Sequence, residues 1–304
     1  MNNLFEIASK SFERQAEIDN ATQHCDLKRK CNETAEPSDI ARLLNVLPFV
    51  GLFTSKENIA LGVERRTVVE YNNAQFDYIV RLSGTTLTAD DETVLLFLNE
   101  CAIKNKSRTF TTTLKKITVG AFFVNSGINF NRSKNSLYHL NIATIDTYFS
   151  CMSKGKKISK GFSGHLVESF QYEHRELQTG YITITFDEKY YQSIISNNSI
   201  SLVNRKSRAK CKSFTQKNIY TILACWGYEK LSINNLMNMT KTTQRKTDFI
   251  QRSLKPLLEN ISRDKKQNIF IDRENKNIVF LESESKKLTI ETHQLTIETH
   301  QKHD

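Results

Sequence analysis

The predicted fold depends most on one stretch, Ser232 to Arg252, with the sequence SINNLMNMTKTTQRKTDFIQR. A compact helix with Leu236 and Met239 on its inner face is followed by a polar turn. A basic helix, predicted to run from Thr243 to Leu258, comes next. Short helix, turn and basic second helix are the order of a helix-turn-helix, whose second helix enters the major groove of DNA.

Side chains at the entry of the basic helix suit base and phosphate contacts. Arginine donates two hydrogen bonds to guanine, glutamine pairs with adenine, and threonine contacts phosphate or a thymine methyl. The alternative, an ordinary surface helix with solvated cations, stays open. The candidate DNA contacts are Lys241, Thr242, Thr243, Gln244, Arg245, Lys246 and Arg252.

A predicted hairpin follows this helix. Asn268 to Asp272 and Ile278 to Leu281 are short alternating strands around a polar turn, as in the wing of a winged helix. Pro256 predicts that the preceding helix ends near residue 254 or kinks there. Basic residues on and beside the wing fit phosphate positioning, and they favour the DNA interpretation: Arg263, Lys265, Lys266, Arg273 and Lys276.

The same order of elements is predicted further upstream. A strand spans 76–82, and helices follow at 89–103, at 114–124 and from 131 through Tyr148. A hairpin at 165–172 and 180–186 closes the unit. Thr88 and Asp91 predict a capping box, which explains the acidic run 90–92 more simply than a metal site does. A second candidate DNA surface, with a plain polar helix start as its alternative, consists of Arg132, Ser133, Lys134, Asn135 and Tyr138.

These patterns predict an α+β fold with two tandem winged helix-turn-helix domains. We expect a flexible N-terminal segment at 1–45 and a first winged-helix domain at 46–186. The second, DNA-binding domain spans 187–284. Residues 285–304 are predicted to be a disordered tail that contains the heptapeptide LTIETHQ twice in tandem.

Charge is distributed unevenly along the 304 residues. The net charge is +10, yet residues 201–280 alone hold 17 lysines and arginines against six acidic residues, so the remainder is almost neutral. This excess predicts a polyanionic partner for the second domain and argues against a membrane. The basic run 205–212 is either a mobile phosphate-binding arm or a solvated linker.

Other functional classes lack their motifs. Glycine-rich nucleotide loops, a membrane span and zinc-finger spacing are absent, and the six cysteines are scattered as expected for reduced thiols in a cytoplasm. A nicking replication enzyme needs a His-hydrophobe-His motif beside a nucleophilic tyrosine. Tyr190 and Tyr191 offer tyrosines, but no His-x-His exists. We therefore expect no cofactor, no metal and no catalytic site.

Four segments resemble the TrfA-like plasmid replication initiators. They are GTTLTADDETVLLFLNECA (Gly84–Ala102), FNRSKNSLYHL (Phe130–Leu140), GYITITFDEKYYQSI (Gly180–Ile194) and TTQRKTDFIQRSLKPLLENI (Thr242–Ile261). The resemblance spans about 45–282 and rests on the order of the elements.

That resemblance implies binding to repeated origin sequences, called iterons, by two winged-helix domains. It also implies opening of AT-rich DNA with the host initiator DnaA, recruitment of the replicative helicase, and an inactive homodimer. The Gln-Leu-x-Leu-Phe peptide by which some members bind the sliding clamp is absent from this sequence. The alternatives are a winged-helix transcription regulator, which the physical pattern fits equally well, and the nicking enzyme.

Overall fold

The structure is a computed structural model. It describes residues 40–44, 46–49, 51–53, 61–71, 74–153, 156–172, 181–196, 200–226, 230–259, 268–272 and 277–281.

The described residues form both helices and strands. In order they are β1 (Ile40–Leu44), α1 (Val46–Phe49), β2 (Glu64–Tyr71), β3 (Ala74–Ser83), α2 (Ala89–Asn105), β4 (Thr109–Thr113), α3 (Leu114–Phe122), α4 (Gly127–Ile142), β5 (Thr144–Ser153), β6 (Lys156–His165), β7 (Val167–Tyr172), β8 (Tyr181–Phe186), α5 (Glu188–Ile195), β9 (Ile200–Asn204), α6 (Arg205–Ala209), α7 (Phe214–Cys225), β10 (Lys230–Ser232), α8 (Ile233–Thr240), α9 (Lys246–Asp248), a π-helical stretch (Phe249–Leu254), β11 (Asn268–Asp272) and β12 (Asn277–Leu281).

The first winged helix is built from α2, α3 and α4 and a three-stranded antiparallel sheet in the order β4-β8-β7. Its helices begin where the sequence supplies caps. The backbone N–H and the hydroxyl of Thr88 both donate to the Asp91 carboxylate, at 2.6 and 2.9 Å, which confirms the predicted capping box. The hydroxyls of Thr113 and Ser126 accept from the first turns of α3 and α4.

The second winged helix repeats this plan. It consists of α7, α8 and the helix at 246–259, with a sheet in the order β10-β12-β11. In both sheets the first strand of the unit pairs with the third strand, and the third strand pairs with the second. Ser213 and Ser232 cap α7 and α8. The predicted fold, two tandem winged helix-turn-helix units in an α+β chain, is confirmed.

A four-stranded antiparallel sheet, β2-β3-β5-β6, accompanies the first unit. The prediction included β3 but continued the third helix through Ile145 and Tyr148, and that part was wrong. Helix α4 ends at Ile142, and Ile145 lies on β5 opposite Leu82 of β3. Burial alternates along β5, with Ile145 and Thr147 inside and Asp146 and Tyr148 exposed.

Strand β1 joins the two halves of the chain. It pairs antiparallel with β9, so residues 40–44 are ordered sheet rather than part of the flexible segment assigned to 1–45. Leu43 and Val203 are fully buried in this pair. One continuous hydrophobic core runs from β1 through both winged helices.

The helix at 246–259 continues past Pro256, so the predicted end near residue 254 was wrong. It starts as α9, widens into the π-helical stretch, and is helical again over 255–259. The N–H of Lys255 donates to the carbonyl of Ile250, five residues back. A proline ring clashes with the carbonyl four residues back in an α-helix, and the wider π turn relieves that crowding.

Candidate nucleic-acid interface

Helix α4 occupies the position of the second helix in the first helix-turn-helix. Lys134 and Asn135 are exposed, as a DNA contact requires. Tyr138 is 38% exposed, and its ring packs edge-on against Phe170 of β7 at 5.2 Å. The Arg132 guanidinium lies 3.4 Å from the Asp90 carboxylate and is still 45% exposed.

Ser133 is a correction to the predicted site. Its side chain is fully buried, and it lies on the inner face of α4. The hydroxyl donates to the carbonyl of Asn129 and accepts from the hydroxyl of Thr118 on α3, both at 3.0 Å. Ser133 therefore fixes the packing of α3 on α4 and does not reach DNA.

Lys241 has a structural contact that the sequence did not predict, while its DNA contact stays a prediction. It ends α8 in the left-handed conformation, with φ of 50°, and its ammonium donates to the hydroxyl of Thr67 on β2 at 2.7 Å. Its side chain also lies against Gly51, where a Cβ would come within 2.8 Å of the lysine Cγ. Lys241 therefore connects the second helix-turn-helix to the four-stranded sheet.

The remaining predicted residues stand at the turn and the start of the 246–259 helix. The Thr242 hydroxyl accepts from the N–H of Gln244 at 3.2 Å and shapes the turn. Thr243, Gln244 and Arg245 are exposed. The side-chain amide oxygen of Gln244 accepts from the hydroxyl of Ser253, which holds the Gln244 side chain against the helix.

Lys246 and Arg252 flank that entry. The Lys246 ammonium donates to Asn234 of α8 at 2.7 Å and so couples the two helices of the motif. The Arg252 guanidinium is 80% exposed and lies 3.4 Å from the Asp248 carboxylate one turn earlier. The other predicted wing contacts, namely Arg263, Lys265, Lys266, Arg273 and Lys276, lie outside the described residues and stay predictions.

The two arginines of the basic run 205–212 are buried, so this part of the run is neither a mobile arm nor a solvated linker. Arg205 and Arg208 lie on α6 and are 4% and 1% exposed. The Arg205 guanidinium pairs with Glu100 at 2.6 Å and donates to the carbonyl of Gly120 at 2.6 Å. The Arg208 guanidinium pairs with the buried Glu92 of α2. These charges attach the two halves of the chain to each other.

Lys217 of α7 extends the same joint. Its ammonium lies 3.6 Å from Asp90, which also faces Arg132 of α4. Burial lowers the pKa of Lys217, and the neighbouring Arg208 lowers it further. The three acids 90–92 therefore have separate structural tasks: Asp90 faces Arg132 and Lys217, Asp91 caps α2, and Glu92 neutralises Arg208.

The described residues form neither a metal centre nor a membrane-spanning helix. Among them, no three His, Cys, Asp or Glu side chains are grouped to hold a metal ion. In the same part of the chain, no helix is both long and apolar enough to cross a membrane. Burial raises the pKa of the Cys101 and Cys225 thiols to about 12 and that of Cys211 to about 11, so these thiols stay protonated at neutral pH.

Two helix-turn-helix motifs, each closed by a three-stranded sheet, define the chain as a tandem winged-helix protein. Domains 2 and 3 of RctB share this fold at a TM-score of 0.50 and 9% identity, covering 78% of this chain and 97% of that chain. A structure of the Pi initiator protein in complex with iteron DNA matches at a TM-score of 0.47 and 11% identity, covering 82% of this chain and 100% of that one. At 9% identity the likeness to RctB domains 2 and 3 is one of fold alone. No family model matches the sequence, and no curated protein does.

Proposed function

We propose that the chain is a plasmid replication initiator that binds repeated origin DNA sequence-specifically through both winged helices. The observation that carries the proposal is the duplicated motif. Each unit exposes polar side chains at its second helix, which is the element that enters the major groove in helix-turn-helix proteins. The resemblance of four sequence segments to TrfA-like initiators supports replication origins as the target.

The charge that remains exposed supports the same target. Arg205, Arg208 and Lys217 form ion pairs with acids of the first winged helix, and Lys241 bonds Thr67, so these four cations have structural partners. Arg245 and Arg252 remain exposed at the second motif. Cations around a reading helix position the phosphates, and the reading helix itself supplies base specificity.

By the same resemblance, the protein would open adjacent AT-rich DNA with DnaA, recruit the replicative helicase and have an inactive homodimer. It would act in the bacterial cytoplasm, without chemistry of its own. In support of a non-enzymatic role, the two tyrosines considered for nicking are unsuited to attack DNA. Tyr190 is fully buried and hydrogen-bonded to Asn99, burial raises its pKa, and Tyr191 is 8% exposed.

A gel-shift titration of the full chain on the origin of its own plasmid tests the proposal. We expect Arg245→Ala to weaken binding to the origin repeat by about 1–3 kcal/mol and to leave binding to random DNA unchanged. Equal loss on both duplexes would reduce Arg245 to a phosphate contact. A protein without preference for the repeats over random DNA would refute the initiator, and binding at a promoter alone would favour the regulator.

A further inference from the structure

The outward face of α4 carries an uncharged stripe. The inner face is formed by Ser133, Ser136, Leu137 and Leu140. Opposite these, at intervals of three or four residues that bring side chains onto one helix face, lie Ile128, Asn131, Asn135, Tyr138 and Ile142, which we call the α4 stripe. Every member is exposed, and the two isoleucines are 68% and 50% exposed.

The chemistry of the α4 stripe is selective among base pairs. Asparagine pairs with N6 and N7 of adenine, and an apolar side chain contacts the C5-methyl group of thymine. Arginine and lysine, the usual partners of guanine, are absent from the stripe. Asn131 and Asn135 lie one turn apart, with Ile128 before them and Tyr138 and Ile142 after them, so apolar groups lie on both sides of a central pair of amides.

Cations lie beside the α4 stripe rather than in it. Lys134 is exposed on one flank. Helix α3, held to α4 by the hydrogen bond between Thr118 and Ser133, exposes Lys115 and Lys116 in its first turn. Arg132, on the other flank, is directed to Asp90. An uncharged centre with basic flanks matches a groove floor of bases between two phosphate backbones.

The second motif has the opposite character, because Arg245 and Arg252 are exposed at and after its helix start. We infer that the α4 stripe recognises A·T base pairs in the major groove, while recognition of guanine falls to the second motif. This inference rests on the proposed function and adds to it: the bound repeat has one half with essential A·T pairs and one half with essential G·C pairs.

Selection from randomised duplexes by the full chain tests this division. The wild type should select a site whose two halves differ in composition as stated. Asn131→Ala combined with Asn135→Ala should abolish the preference at the A·T positions only, with a loss of affinity of roughly 5- to 150-fold for each adenine contact that is removed. Asn105→Ala is the matched control, because this exposed amide lies at the end of α2 and bonds the carbonyl of Cys101.

Base analogues test the contacts one group at a time. Deoxyuridine lacks the thymine methyl, and 7-deazaadenine lacks N7, while both keep their Watson–Crick pairing. We expect deoxyuridine to weaken binding of the wild type and to have no further effect on Ile128→Ala combined with Ile142→Ala. Likewise, we expect 7-deazaadenine to weaken binding of the wild type and to have no further effect on Asn131→Ala combined with Asn135→Ala.

The outcomes separate the inference from the proposed function. If the wild type selects a specific site and the asparagine double variant selects the same one, the inference is wrong and the proposed function stands. If the stripe variants change self-association in sedimentation and leave base preference intact, the stripe is a surface for a second copy. If the wild type selects no site, both the function and the inference are wrong.

Discussion

Replacing Arg208 by methionine is expected to destabilise the folded chain by about 3–5 kcal/mol. The arginine side chain is 2% exposed, and that of its partner Glu92 is 1% exposed. The guanidinium also donates to the hydroxyls of Thr221 and Thr93 and to the carbonyl of Ala89. Methionine fills much of the volume but leaves the Glu92 carboxylate buried without its cation, and an unpaired buried charge dominates the cost.

Two controls isolate the charge from the packing. Arg208→Met combined with Glu92→Met removes both charges, and this double variant should recover most of the lost stability, because an apolar replacement of a whole buried pair is often neutral or stabilising. Lys212→Met, at an exposed position just after the same helix, should stay within about 0.5 kcal/mol of the wild type. Urea unfolding followed by the fluorescence of Trp226, which is buried beside Phe49, measures all three.

The pH dependence gives an independent test. Burial raises the pKa of Glu92 above its ordinary value of 4.5, and Arg208 pulls it back down. Without Arg208 the folded-state pKa rises further, so the folded chain holds this proton more tightly than the unfolded chain. The penalty of Arg208→Met relative to the wild type should therefore be small below the raised folded-state pKa of Glu92 in the wild type. It should grow as the pH rises from there to the higher pKa of Glu92 in the variant. A single variant within 1 kcal/mol of the wild type, or a double variant as unstable as the single one, would refute the reasoning.

Three further substitutions address the interface and its support. Lys134→Ala should weaken binding to all sequences alike and reduce the slope of log affinity against log salt by about 1, measured by titration at several salt concentrations; a change in base preference would contradict a phosphate contact. Gly120→Ala should cost about 1–3 kcal/mol in thermal unfolding, because the new methyl would lie 2.1 Å from the Phe97 ring. Lys241→Ala should cost about 1 kcal/mol through the lost bond to Thr67 and should leave the selected DNA site unchanged; an altered site would restore Lys241 to the interface.

The order of elements was predictable because it depends on local signals. Thr88 with Asp91 marks the start of α2, and Ser232 marks the start of α8. Strand β5 was missed because Ile142, Ile145 and Tyr148 are spaced by three, which imitates a helix. These residues form a strand because β5 pairs with β3, and that pairing joins residues far apart in sequence.

The position of the candidate site could be predicted from its helix-turn-helix motif, but the roles of its individual residues could not. The second helix-turn-helix was found from its polar turn and basic helix, since both are local. The structural roles of Lys241 and Ser133 depend on distant partners, Thr67 and Thr118. The α4 stripe was missed apart from Asn135 and Tyr138, although the spacing of Ile128, Asn131 and Ile142 was present in the sequence as a possible signal.

The buried arginines of α6 also fix the distance between the two winged units. Because Arg208 binds Thr93 and Glu92 of α2 as well as Thr221 of α7, the first helices of the two winged units are fastened through one side chain. Two winged units fastened in this way have little freedom to change the distance between them. We expect five base pairs inserted between the half-sites to place them on opposite faces of the duplex and to reduce binding to that of one unit. Ten inserted pairs restore the face but separate the half-sites by about 34 Å more, which this joint does not span, so the repeat length itself becomes part of what the protein recognises.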